Sequence, residues 1–171
     1  LPGLPCEVVY DAVDVEEFSP GPAEPDRLDA LAGFPPGRAR RVGLVATYAR
    51  WKGQDVFLEA AREIAAAIDG VPVRLYVIGG PIYSTAGSQF SEAELRGLTA
   101  RHGVADRVGF VPFQADPAWL FRTLDVAVHA STRPEPFGRT IIEALACGCP
   151  VVATTAAGAV ELLVEGPAPL V

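Results

Sequence analysis

The chain has 171 residues, half of them hydrophobic, which suffices for one well-buried domain. Fourteen basic against twenty-one acidic side chains give a net charge of −7 without any continuous basic stripe, which excludes nucleic acid as a natural partner. No apolar run approaches the roughly 20 residues of a membrane span, and the opening LPGLPCEVVY lacks the basic and apolar regions of a secretion signal, so a soluble, cytoplasmic protein is expected.

Residues 19–40 are rich in proline and glycine and read as an irregular lead-in around a short helix at Asp26 to Leu31. Arg41 to Thr47 (RVGLVAT) has the composition of a buried strand. Gln54 to Ile68 follows as a helix, with Val56, Phe57, Ala60, Ala61, Ile64 and Ile68 on its inward face. Val73 to Ile78 is a second strand, stopped by Gly79-Gly80-Pro81. Ser91, with Glu94 three residues on, opens a helix to His102 through a capping box. Arg107 to Val111 is a third strand, Pro117 to Thr123 a short helix and Asp125 to Ala130 a fourth strand. A helix from Gly138 or Arg139 to Cys147, with Ile142 and Leu145 turned toward the sheet, precedes a fifth strand at Pro150 to Thr154. A helical turn at Val160 to Val164 and a sixth strand at Pro169 to Val171 complete the alternation.

Strands alternating with amphipathic helices specify an α/β fold, a Rossmann-like doubly wound parallel sheet of about six strands with helices on both faces. Such sheets bind ligands beyond the carboxyl ends of their strands, so the loops after Thr47, Ile78, Val111, Ala130 and Thr154 are expected along one edge. Three cysteines, Cys6, Cys147 and Cys149, argue against a disulfide framework and fit a reducing compartment. The Cys-Gly-Cys pair supplies only two zinc ligands, and neither His102 nor His129 stands at a ligand spacing from it, so packing at a helix end is expected rather than a metal. The lack of methionine and the strand-like sequence at both ends read as one segment of a longer protein.

The chemistry concentrates between Ser131 and Glu161. Pro134 and Pro136 stiffen the loop that carries Glu135, because each fixes its own φ and pushes the preceding residue toward extended geometry. Gly138 permits a close approach of backbone to ligand, and the amides of Arg139, Thr140 and Ile141 are unpaired donors of a helix start, suited to an anion. Glu143 lies on the face shared by Arg139 and Thr140. Anion-binding amides flanked by two carboxylates that accept hydroxyl protons suit a phosphate-bearing ligand rich in OH groups. Spacing alone leaves open whether Glu143 meets a ligand or only forms a helix pair with Arg139. Two carboxylates also occur in glycoside hydrolysis, but that reaction needs neither the glycine nor the helix start between them. His129 reads as a strand-end packing residue and His102 as a helix C-terminal cation.

These residues carry a family resemblance. The segments VVYDAVDVEEFSP (Val8 to Pro20), WKGQDVFLEAA (Trp51 to Ala61), RVGFVPF (Arg107 to Phe113), LDVAVHASTRPEPFG (Leu124 to Gly138) and IIEALACGCPVVATTAAGAVELL (Ile141 to Leu163) span nearly the whole chain. Together they resemble the C-terminal, donor-binding half of a family-4 retaining glycosyltransferase of the two-Rossmann-domain (GT-B) type, with the spacing of Glu135 and Glu143 the most specific part.

The resemblance implies transfer of a hexose-type sugar from a UDP-, GDP- or ADP-sugar to an acceptor that the sequence does not identify. It implies no metal and no cofactor beyond that donor substrate, and any membrane docking only through the N-terminal half. Carried over by position, Glu135 would bond sugar hydroxyls, the Phe137 and Gly138 amides would face the sugar, and the Thr140 and Ile141 amides would hold the diphosphate. Glu143 would bind the ribose, backbone near Val111, Pro112 and Phe113 would meet the base, and Lys52 would neutralise the leaving phosphate. The family usually has an arginine where this chain has Thr47, so Arg50 is expected as the substitute clamp, or the second clamp is missing.

Three rivals remain. One is a non-catalytic nucleotide-binding or scaffolding domain, favoured by Thr47. Another is a related GT-B enzyme such as a sugar-nucleotide epimerase or a phosphorylase, although Lys52 is the only lysine and is better explained as a phosphate partner. A dinucleotide dehydrogenase lacks its glycine fingerprint here.

Overall fold

Apolar residues alternate along each strand so that both faces of the sheet need covering, and helices cover both. The computed structural model describes residue 7 and residues 9–67, 70–82 and 87–155. In chain order these form α1 (Pro25–Ala32), β1 (Arg40–Val45), α2 (Gln54–Glu59), α3 (Ala61–Ala66), β2 (Val73–Gly79), α4 (Glu92–His102), β3 (Val108–Pro112), α5 (Ala118–Thr123), β4 (Val126–His129), α6 (Arg139–Ala146) and β5 (Val151–Ala153). The strands are all parallel and stand in the order β3-β2-β1-β4-β5. The expected turn at Val160 to Val164, the sixth strand, Ile68 and Cys6 lie outside the described residues.

In β2 the period of two is plain: Val73, Leu75 and Val77 join the core beneath α2 and α4, while Tyr76 and Ile78 join the one beneath α5 and α6. A sheet covered in this way buries both faces, which is why its strands read as continuous apolar runs. Cys147 and Cys149 pack in the second core, as expected for a helix end, and burial pushes the Cys149 thiol up to about 11.

Two helix faces differ from the sequence expectation. The segment after Gly53 is a pair of short helices that meet at Ala60, not one, and its inward stripe is Gln54, Phe57, Leu58 and Ala61, leaving Val56 exposed. In α6, Ile141 and Ala144 are fully buried and Ile142 and Leu145 only half-buried. In α6 the difference is a rotation of about one residue, 100° on a helical wheel; after Gly53 the expected Phe57 and Ala61 are buried, and Gln54 and Leu58 take the places expected of Val56 and Ala60. The capping box at Ser91 and Glu94 forms as expected, each side chain bonded to the other's backbone amide.

At the amino-terminal edge of the sheet, the fully buried Asp29 of α1 accepts from Arg41 Nη2 and Arg74 Nη1, both at 2.6 Å, and from Tyr76 Oη at 2.5 Å. Burial raises the cost of that carboxylate, but the donors outweigh it and hold its pKa below the usual range. This knot fastens α1 to the starts of β1 and β2. The carboxyl edge is left for other work.

Candidate functional site

The sheet order places β1 beside β4 although two strands, β2 and β3, come between them in sequence, so the direction of winding reverses there. Loops leaving a parallel sheet at such a reversal diverge to opposite faces and open a crevice. Here they are also clamped together. Gly53, at φ +75°, sits so close to β4 that a Cβ would stand 1.9 Å from the Ala130 carbonyl oxygen, and the Thr132 amide donates to the Trp51 carbonyl at 2.8 Å. Lys52 is thereby delivered to the proline-stiffened loop.

Lys52 Nζ donates to Glu135 Oε2 at 2.6 Å, with both side chains largely buried, and lies 4.1 Å from the centre of the Trp51 ring. The same Oε2 accepts from Ser131 Oγ at 3.1 Å and faces His129 Nε2 at 3.4 Å. Burial pushes the Glu135 pKa up, but Lys52 and Ser131 overcome it, so the carboxyl is held below its ordinary value. Burial likewise lowers the His129 pKa, Glu135 opposing, so the imidazole stays neutral. Every partner falls on Oε2, and Oε1 accepts from none of the described residues. His129 and Ser131 are the participants that sequence reasoning missed; alternate residues at a strand end share one face, and that periodicity would have found them.

Beside this cluster lies a cavity of about 460 Å3, floored by Ala46, Thr47, Gly79 and Gly80 and walled by Phe113, Gln114, Ala115, Arg139, Thr140 and Glu143. Glu17 and Phe18 of the lead-in close another side. Glu143 is nearly buried, and burial, reinforced by Glu17, pushes its pKa up against the opposing Arg139. Arg139 Nη2 stands 3.4 Å from Glu143 Oε1, so the helix pair left open by spacing does form, loosely.

Gly138 takes φ +92° and starts α6. A Cβ on it would lie 3.8 Å from Glu135 Cγ, so the start of α6 packs beside the Lys52 cluster, although neither Lys52 nor Glu135 lines the cavity. The Ile141 amide, expected as a ligand donor, is engaged by the Gly138 carbonyl at 2.8 Å; those of Arg139 and Thr140 have no partner among the described residues.

Four further positions differ from expectation. Val111 is fully buried in the second core and Pro112 is the exposed last residue of β3; neither lines the cavity, whereas Phe113, the last of the three expected positions, does so with Gln114 and Ala115, because the strand starts and ends one residue later than expected. Arg50 points away from the cavity: its guanidinium meets Glu94 at 2.5 Å and the Gly87 carbonyl at 3.1 Å and stacks on Phe90. Thr47 does line the cavity, its carbonyl held by the fully buried Gln54 at 2.6 Å, but it brings no charge. Phe137 is half-buried beside Tyr10, ring centres 6.2 Å apart, and is not in the cavity wall.

Residues 39–171 match the family model described as glycosyl transferases group 1. The chain is similar to the D-inositol 3-phosphate glycosyltransferase of Rhodococcus erythropolis, 34% identical over 89% of this chain and 33% of that protein, so it spans about a third of the length of the curated relatives it matches. Among solved structures it is similar to Anabaena HepE in complex with UDP and glucose, at TM-score 0.75 and 30% identity over 96% of this chain and 43% of that one. The same protein with UDP-glucose matches at TM-score 0.73 and 32% identity, over 91% and 40% of the two chains. The C-terminal domain of the group 1 glycosyl transferase LpcC from Francisella tularensis matches at TM-score 0.68 and 26% identity, over 90% and 75%. The parallel Rossmann-like sheet is thus that of GT-B glycosyltransferases, and the chain belongs to the glycosyl transferases group 1 family.

Proposed function

We propose that this chain is the donor-binding domain, C-terminal in its parent, of a retaining glycosyltransferase that moves a hexose from a nucleoside diphosphate sugar to an acceptor. One observation carries the reading: a cavity at the sheet's reversal point is lined by Arg139 and Thr140, whose amides have no partner among the described residues, with Glu143 in its wall and the ionised Glu135 packed near Gly138 at the start of α6. The UDP and glucose held by HepE, and the C-terminal position of the LpcC domain, support it.

In this reading Glu143 accepts the ribose hydroxyls and the two amides meet the diphosphate at the positive end of α6. Phe113 lies at the base, and Oε1 of Glu135, which accepts from none of the described residues, takes a hydroxyl of the sugar. Lys52 moves from Glu135 toward the departing phosphate, compensating its charge without a metal ion. The acceptor pocket comes from the rest of the parent protein, so this segment by itself transfers nothing.

Thermal shift with UDP, GDP, ADP and their glucose conjugates tests the reading: one of the series should raise the melting temperature, and Glu143→Ala should abolish the rise. Indifference to all of them would refute it.

A second reading, nucleotide binding without catalysis, is favoured by the uncharged Thr47 and the distant Arg50. Turnover by the intact protein that Glu135→Ala removes would decide for transfer.

A further inference from the structure

The side-chain cations first expected at the diphosphate are engaged elsewhere, so that Lys52 reaches it only by leaving Glu135. Lys52 is taken up by Glu135 at 2.6 Å, Arg50 by Glu94 and Thr47 has no charge to offer. The cavity wall even carries two carboxylates, Glu17 and Glu143. Among the described residues that line it, Arg139 is the one basic side chain.

Arg139 is also poorly held where it is. Its side chain is 64% exposed, and its contact with Glu143 is 3.4 Å, longer than the roughly 2.7 to 2.9 Å of a charge-assisted hydrogen bond. The order, arginine before glutamate, is the weaker one for a helix pair. Arg139 occupies the first position of α6, where the Cα–Cβ bond tilts back toward the helix start. A change of rotamer therefore swings the guanidinium from Glu143, one turn along, to a place over the amides of Arg139 and Thr140, which have no partner among the described residues.

We propose that Arg139 is a phosphate clamp for the donor, released from Glu143 when ribose hydroxyls replace it there; this rests on the nucleotide-sugar reading above. The exchange couples two parts of one ligand. Ribose hydroxyls donate to Glu143, which no longer needs the guanidinium, and the guanidinium gains two phosphate oxygens in the planar geometry that suits it. Nucleoside and diphosphate consequently bind cooperatively, each removing an obstacle to the other.

Calorimetric titration of the intact protein and its Arg139→Gln and Arg139→Lys variants with UDP, GDP and ADP and with their nucleosides tests the clamp. Arg139→Gln should weaken the preferred diphosphate roughly tenfold or more while its nucleoside binds as before or better, Glu143 being unmasked. Arg139→Lys should recover part of the loss, and the melting temperatures of the empty variants should match the wild type. Equal losses for diphosphate and nucleoside, or no loss for either, would overturn the clamp alone. Failure of the wild type to bind any of the six would remove the nucleotide reading and the clamp with it.

Discussion

Glu135 and Glu143 look like equivalent halves of one spacing motif, yet the fold puts them in opposite electrical conditions. Glu135 holds a lysine at 2.6 Å and a serine hydroxyl besides, and its pKa is depressed; Glu143 holds an arginine loosely at 3.4 Å, borders a second carboxylate, and its pKa is raised. The difference lies in what their neighbours are free to do. Around Glu135 the donors come from two loops locked together at Gly53 and Ala130, so the charge is fixed before any ligand arrives. Around Glu143 the wall is open, and a ligand's hydroxyls are better partners than those already present. Under the function proposed above, the first serves as a prearranged reaction centre and the second as a receptor.

That contrast can be broken most forcefully at Glu135. Glu135→Gln should lower sugar transfer by the intact protein roughly 100-fold or more, since one charge-assisted contact in the transition state is worth about 2 to 3 kcal/mol, while affinity for the preferred nucleoside diphosphate among UDP, GDP and ADP holds or improves as Lys52 is freed. A matching loss of that affinity would erase the distinction between centre and receptor.

Next comes Lys52→Met, which leaves Glu135 buried without its cation. Denaturant unfolding should register a loss of about 1 to 3 kcal/mol at neutral pH. Because the folded pKa of Glu135 is depressed, its stabilising contribution is present above the unfolded value and lost as pH falls through the folded one; the deficit should therefore shrink in acid.

Glu143 should behave with the reverse sign. Its folded pKa is raised, so the folded state holds that proton more tightly and stability falls as pH climbs from the ordinary carboxylate value through the raised one. Glu143→Gln should consequently raise the melting temperature of the empty protein at neutral pH while costing nucleotide affinity. Acidifying the wild type should weaken nucleotide binding before Glu135 is protonated, and the variant should lack that step. Arg50→Ala marks the small end of the scale: with its guanidinium on Glu94, its removal should leave transfer unchanged in a steady-state assay.

The pairing of Lys52 with Glu135 illustrates what the sequence could and could not disclose. Strand and helix order, the capping box at Ser91 and the glycine that starts α6 were all legible, because each rests on residues within a few positions of one another. Arg50, two residues from Lys52, was misplaced for lack of any local signal: the residues that hold it, Gly87, Phe90 and Glu94, lie about forty positions away, beyond a turn whose course depends on tertiary packing. Val111 and Pro112 stand outside the cavity wall for a smaller reason, since β3 starts and ends one residue later than expected and the wall begins at Phe113. The inward stripe of α6 was out of phase, and that of the segment after Gly53 was right at Phe57 and Ala61 but missed Gln54 and Leu58, because several apolar residues offered alternative stripes of similar width.

Gly79 carries one more consequence. A Cβ there would stand 2.0 Å from the Ala46 carbonyl oxygen, so the cavity floor is bare main chain pressed against main chain. No substitution at that point fits without prising β1 from β2, so this part of the floor is closed to side chains. Any reshaping of the cavity has to come from its other walls, such as Thr47 or the exposed Phe113.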